Sequence, residues 1–107
     1  MRVIEQAGVN GVAILADLFH MHIEETNSPQ ALINAAAHVK HIHLADNTRM
    51  ELGTGDIDLV AAFTALKSFG FMGYMAYECS ITGTSETERA TNLAKSLSYV
   101  KACIEKA

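Results

Sequence analysis

Tryptophan is absent from the 107 residues, proline occurs once (Pro29) and cysteine twice (Cys79 and Cys103). Two cysteines make neither a disulfide framework nor a CxxC metal pair. They read as reduced, buried thiols of a cytoplasmic protein. The shortage of proline, with 50% apolar and only 19% charged residues, excludes a disordered chain. Basic charge is also scarce: eight Lys and Arg against twelve Asp and Glu leave a net charge of −4, which argues against a nucleic-acid partner. Long hydrophobic runs are missing. The run Val12 to Ala16 is far short of the ~20 residues that cross a bilayer, so no membrane partner is expected. The opening residues Met1 to Glu5 contain no apolar segment of a signal peptide. The length suits one domain with one core.

What is present is alternation. Arg2 to Ala7 reads as a helix that stops at Gly8, because glycine accepts the positive φ of a helix end. Gly11 to Asp17 is a short apolar run closing on a carboxylate, the pattern of a strand buried on both faces. Ser28 and Pro29 supply an N-cap and a first-turn proline for a helix to about His38, with Leu32, Ile33 and Ala36 at helical spacing. Val39 to Asp46 is a second strand, followed by a loop from Asn47 to Asp56 that holds Gly53, Thr54 and Gly55. Asp58 caps the next helix, which turns Leu59, Ala62, Phe63 and Leu66 to one side and ends at Gly70. Tyr74 to Cys79 is the third strand. Ser85 and Glu88 form a capping box before a long helix striped by Ala90, Leu93, Leu97, Val100 and Ile104. The expected class is α/β, one domain over 1–107, with parallel strands near 11–17, 40–46 and 73–79 and helices outside them.

In such folds, chemistry gathers at the carboxyl ends of the strands. Asp17 and His20, then His43, Asp46 and Arg49, then Glu78 occupy those ends. Asp, His and Glu make an N/O ligand set suited to Mn²⁺, Co²⁺, Mg²⁺ or Zn²⁺. Each residue also has a plainer reading. Asp17 can be a helix cap, and His41 and His43, which share a strand face, can be hydrogen-bonded interior histidines. Glu78 is harder to dismiss, because an unpaired charge closing an apolar strand is costly. His22, Glu24 and Glu25 read as a solvated loop, and His38 as a surface residue near a helix end.

The ordered set Asp17 to Glu25, His41-Ile42-His43 with Arg49, Gly53-Thr54-Gly55 and Tyr77-Glu78 resembles the xylose isomerase-like TIM-barrel superfamily. Within it the sequence is most similar to ketose 3-epimerases of the D-tagatose and D-psicose 3-epimerase type. The resemblance implies the C-terminal three βα units of a (β/α)₈ barrel, matching strands 6–8. It implies one divalent metal, Mn²⁺ or Co²⁺ before Mg²⁺ or Zn²⁺, on Asp17, His43 and Glu78. Glu78 would be one of two proton-transferring glutamates, and His20 and Arg49 would contact a ketose or keto sugar derivative. The family's other glutamate lies on strand 5, which no residue before Val12 matches. The chain is therefore expected to be incomplete and inactive alone, a homo-oligomer or a partner of the N-terminal barrel portion. Two alternatives stay open: a non-catalytic, self-associating barrel fragment, and another enzyme of the superfamily, such as an aldose–ketose isomerase or an inosose dehydratase.

Overall fold

The computed structural model describes residues 2–107. Helix α1 (Arg2–Ala7) precedes strand β1 (Ile14–Asp17), helices α2 (Leu18–Glu24) and α3 (Ser28–Asn34), and strand β2 (Val39–Leu44). Helix α4 (Leu59–Ser68), strand β3 (Tyr74–Tyr77) and helix α5 (Glu86–Lys106) complete it. The strands form one parallel sheet in the order β1–β2–β3, as the alternation of strand and helix signals requires. Asp17 lies opposite His43, and His43 opposite Ala76. Side chains alternate along a strand, so Asp17, His43, Ala76 and, two residues on, Glu78 project from one face.

The core lies between the sheet and its helices. Ile42 is fully buried in the central strand, and Leu59, Ala62, Phe63 and Leu66 of α4 are all buried. Burying each large aliphatic or aromatic side chain contributes about 1.5–3 kcal/mol. Helix α4 begins where Asp58 accepts a hydrogen bond from the Ala61 amide (3.0 Å). It ends where the Phe71 amide reaches the Leu66 carbonyl and Gly70 takes φ +68°, a conformation open to a residue without Cβ.

Several local expectations differ from the structure. Residues 22–24 belong to helix α2 rather than to a loop, because Asp17 caps it through the His20 amide (3.0 Å). Helix α3 is capped by Asn27, one residue before Ser28, and it ends at Asn34 rather than near His38. Ile33 is exposed there, and Leu32 alone of that helix is buried. The capping box of α5 is half made. The Ser85 hydroxyl accepts from the Glu88 amide, but the Glu88 carboxylate reaches past Ser85 to the Thr84 amide and hydroxyl. On α5 the buried face is Ser96, Val100 and Cys103, while Leu97 is 46% exposed. Ser96 can sit inside because its hydroxyl donates to the Leu52 carbonyl (2.6 Å) and shares a 2.6 Å hydrogen bond with the Tyr77 hydroxyl.

Candidate functional site

A cleft of about 860 Å³ runs along β1, from Ile14 and Val39 at the amino ends of the strands to Asp17, His20, His43, Arg49 and Glu78 at their carboxyl ends. One ligand atom each from Asp17, His43 and Glu78 lies within 4.8 Å of the others. Each is there for a local reason. Asp17 closes β1 and divides its carboxylate: Oδ1 caps α2, while Oδ2 faces His43 Nδ1 at 3.7 Å. His43 stands in the middle strand, with its ring edge-on to His41 at 5.3 Å between centroids. Glu78 follows β3, held by its amide to the Leu44 carbonyl (3.1 Å). It is exposed, not buried as the apolar run before it suggests; β3 is an edge strand in which Tyr74 is exposed and Met75 to Tyr77 are half-buried.

The donors are two carboxylates and an imidazole, all hard or borderline, and close enough to share an ion with ligand distances of ~2.0–2.6 Å. Cys79, beside Glu78, lies outside this group. Its thiol is pushed above the ordinary value by burial and by the negative charges of Glu51, Glu78 and Asp17.

Arg49 and His20 come to the same cleft from different elements. Arg49 lies in the loop between β2 and α4 and has a left-handed backbone, φ +63°, unusual for a side chain of its size. Its guanidinium carbon lies 4.9 Å from the Phe19 ring centroid, a cation–π contact, and Phe19 meets the His20 ring edge-on. Phe19 carried no signal in the sequence beyond its place between Asp17 and His20.

Below Arg49 the loop is fastened by a carboxylate that is 2% exposed. Asp46 accepts from the amides of Asn47 (2.9 Å), Gly53 (2.9 Å) and Ile57 (3.2 Å). Asn47 accepts in turn from the Asp56 amide (2.8 Å). A Cβ at Gly55 would overlap the Asn47 and Asp46 side-chain oxygens, so only glycine fits that part of the loop. Asp46, a strand-end carboxylate in the sequence, is thus turned inward to backbone. His22 lies 3.5 Å from Asp56 and His38 3.7 Å from Glu5, both away from the ligand group. Glu24 and Glu25 line the cleft without joining that group.

A family model described as "Xylose isomerase-like TIM barrel" matches residues 1–103. The chain is 33% identical over 102 residues to the 3-dehydro-D-guloside 4-epimerase of Escherichia coli, covering 95% of this chain and 38% of that protein. It is 36% identical over 75 residues to the L-ribulose 3-epimerase of Mesorhizobium japonicum, covering 70% of this chain and 25% of that protein. The crystal structure of the Escherichia coli 3-keto-D-glucoside 4-epimerase superposes with a TM-score of 0.88 at 34% identity, over 95% of this chain and 38% of that one. The chain thus spans well under half the length of the relatives it matches.

Proposed function

Because the chain belongs to the xylose isomerase-like TIM barrel family, of which it forms three βα units, we propose that it is part of a divalent-metal-dependent epimerase of keto sugars. The observation that carries this reading is the gathering of Asp17, His43 and Glu78 within 4.8 Å, at the mouth of a cleft that also holds His20 and Arg49. An ion held there, Mn²⁺ or Co²⁺ before Mg²⁺ or Zn²⁺, would supply Lewis acidity toward adjacent carbonyl and hydroxyl oxygens of the sugar.

The chain's own residues do the rest. Glu78 takes the proton from the carbon next to the carbonyl, acting as a general base. Arg49 and His20 stabilise the negative charge that develops on the sugar oxygen, a role suited to donors fixed in advance. Phe19 packs against the Arg49 guanidinium, 4.9 Å from its carbon, and so helps to orient it. Returning a proton to the opposite face needs a second acid. In this reading that acid comes from the other βα units of a (β/α)₈ barrel, and the 107 residues alone turn over negligibly.

The preferred reaction is epimerisation of a ketose at C3. A second reading, epimerisation at C4 of a 3-keto glycoside, is supported by the Escherichia coli relative, to which 95% of this chain aligns. Both remove a C–H next to a ketone. Deuterium uptake in heavy water with Mn²⁺ or Co²⁺ tests the proposal and separates the two. D-fructose, D-tagatose and D-psicose report exchange at C3, and a 3-keto glucoside reports exchange at C4. The chain is assayed alone and with the remaining units supplied in cis or in trans. No exchange with any of these sugars in the supplemented protein would sink the reading.

A further inference from the structure

Glu51 is 2% exposed, and no lysine or arginine pairs with it among the described residues. A buried carboxylate without a counter-ion is stable only when hydrogen bonds replace its water. Here one residue supplies them. The Thr82 amide is shared between Oε1 (3.0 Å) and Oε2 (3.1 Å), and the Thr82 hydroxyl donates to Oε2 (2.7 Å). Thr82 is held from behind, its carbonyl and hydroxyl accepting from Asn92 Nδ2 of α5 at 2.8 and 3.2 Å. An aliphatic side chain could fill the same space with no desolvation penalty, so packing alone does not call for a charge.

What the carboxylate joins is informative. Glu51 follows Arg49 by two residues, and Thr82 lies in the segment that leaves Glu78. Between them runs a short parallel bridge, Met50 beside Ser80, with the Ser80 amide donating to the Arg49 carbonyl (3.4 Å). At that distance the bridge is weak, and the Glu51–Thr82 bonds are the strong tie between the two segments.

We propose that Glu51 is a positioning residue, holding the Arg49 loop against the segment after Glu78 and so setting where the guanidinium stands relative to the Glu78 carboxylate. The inference rests on the reading above, in which Arg49 and Glu78 act on one substrate. It adds a residue that touches neither substrate nor ion.

The test uses NMR on the full 107-residue chain with Glu51→Gln, Glu51→Ala and Glu51→Leu. Two signals report on the tie: exchange of the Thr82 amide, and the upfield ring-current shift that Phe19 gives the Arg49 δ protons. In the Ala and Leu variants the Thr82 amide should exchange ~10–100-fold faster, the worth of a charged hydrogen bond. The Arg49 shift should collapse while amides of the three strands keep their dispersion. Glu51→Gln, which still accepts from the Thr82 amide, should restore most of both. A folded Leu variant with the Arg49 shift intact overturns the proposal. So does unfolding of both apolar variants, which would make Glu51 a requirement of the fold itself. Mn²⁺ added to the same samples reports separately on the underlying reading. If His43 signals in the unaltered chain do not broaden, the metal site fails while the result for the two loops stands.

Discussion

Oδ2 of Asp17 and Nδ1 of His43 lie 3.7 Å apart on adjacent parallel strands, at positions paired in the sheet register. The register therefore delivers a carboxylate and an imidazole to one point without help from a loop. Asp17 also caps α2 with its other oxygen. The two jobs can be separated: Asp17→Asn keeps the cap, since Asn and Asp cap almost equally well. It should change stability by less than about 0.5 kcal/mol, yet weaken Mn²⁺ binding at least ~10-fold. His43→Ala should weaken it similarly. Mn²⁺ titration followed by electron paramagnetic resonance measures both, and unchanged affinity in either variant would rule out the ligand set.

Glu78 and Arg49 should fail differently. In the supplemented barrel, Glu78→Gln keeps the shape but cannot take up a proton, so sugar C–H exchange with solvent should drop to background. Arg49→Ala should raise KM and lower kcat, leaving Mn²⁺ affinity within about twofold of the parent, because Arg49 stands outside the ligand group. Equal loss of metal binding in both variants would contradict these roles.

Asp46 is the fastening of the Arg49 loop. Its replacement by alanine strands the amides of Asn47, Gly53 and Ile57. The expected loss is about 2–3 kcal/mol in urea unfolding. A loss below about 0.5 kcal/mol would mean that water replaces the carboxylate freely.

The start of α5 should carry a pH signature. Hydrogen bonds from the Thr84 amide and hydroxyl hold the Glu88 carboxyl below its ordinary value. A lowered carboxyl stabilises the fold fully above its unfolded pKa, and that contribution fades as pH falls through the folded one. Glu88→Gln should therefore be the less stable protein at neutral pH, and the two urea midpoints should converge as pH falls below the ordinary carboxyl range. A constant offset across the range would assign the effect to something other than ionisation.

Both outer strands leave a row of backbone groups unpaired, and the apolar side chains beside them are open: Leu15 is 50% exposed and Tyr74 84%. Such edges favour association with another chain. Sedimentation should show concentration-dependent self-association that added barrel units suppress. A single monomeric species at all concentrations would remove this expectation.

The parts legible in the sequence are those whose cause is local. Asp58 and Gly70 bound α4 through hydrogen bonds spanning a few residues, and the apolar run of β2 needs no distant information. Helix α2 was hidden because its start signal, Asp17, is also the last residue of a strand. The buried face of α5 was only partly legible: Val100 lay in the apolar stripe, but Ser96 did not, because its polarity is neutralised by Tyr77 and Leu52, far away in sequence. Of the site, residue types at strand ends were readable. The inward turn of Asp46 and the grip of Glu51 on Thr82 were not, since a carboxylate's partners across 7 or 31 residues leave no pattern in the chain.

The order β1–β2–β3 repeats the order of the strands along the chain. Each later strand thus pairs with the one synthesised just before it, across α2 and α3 between β1 and β2 and across α4 between β2 and β3. Loop-closure entropy grows with loop length, so pairing with the preceding strand costs less than pairing with one farther along the chain. Sheet growth becomes directional: a unit docks on its predecessor and offers its own edge to the next. Translation itself then sets the sequence of assembly, and a stalled or shortened chain still contains units that have already found their neighbours.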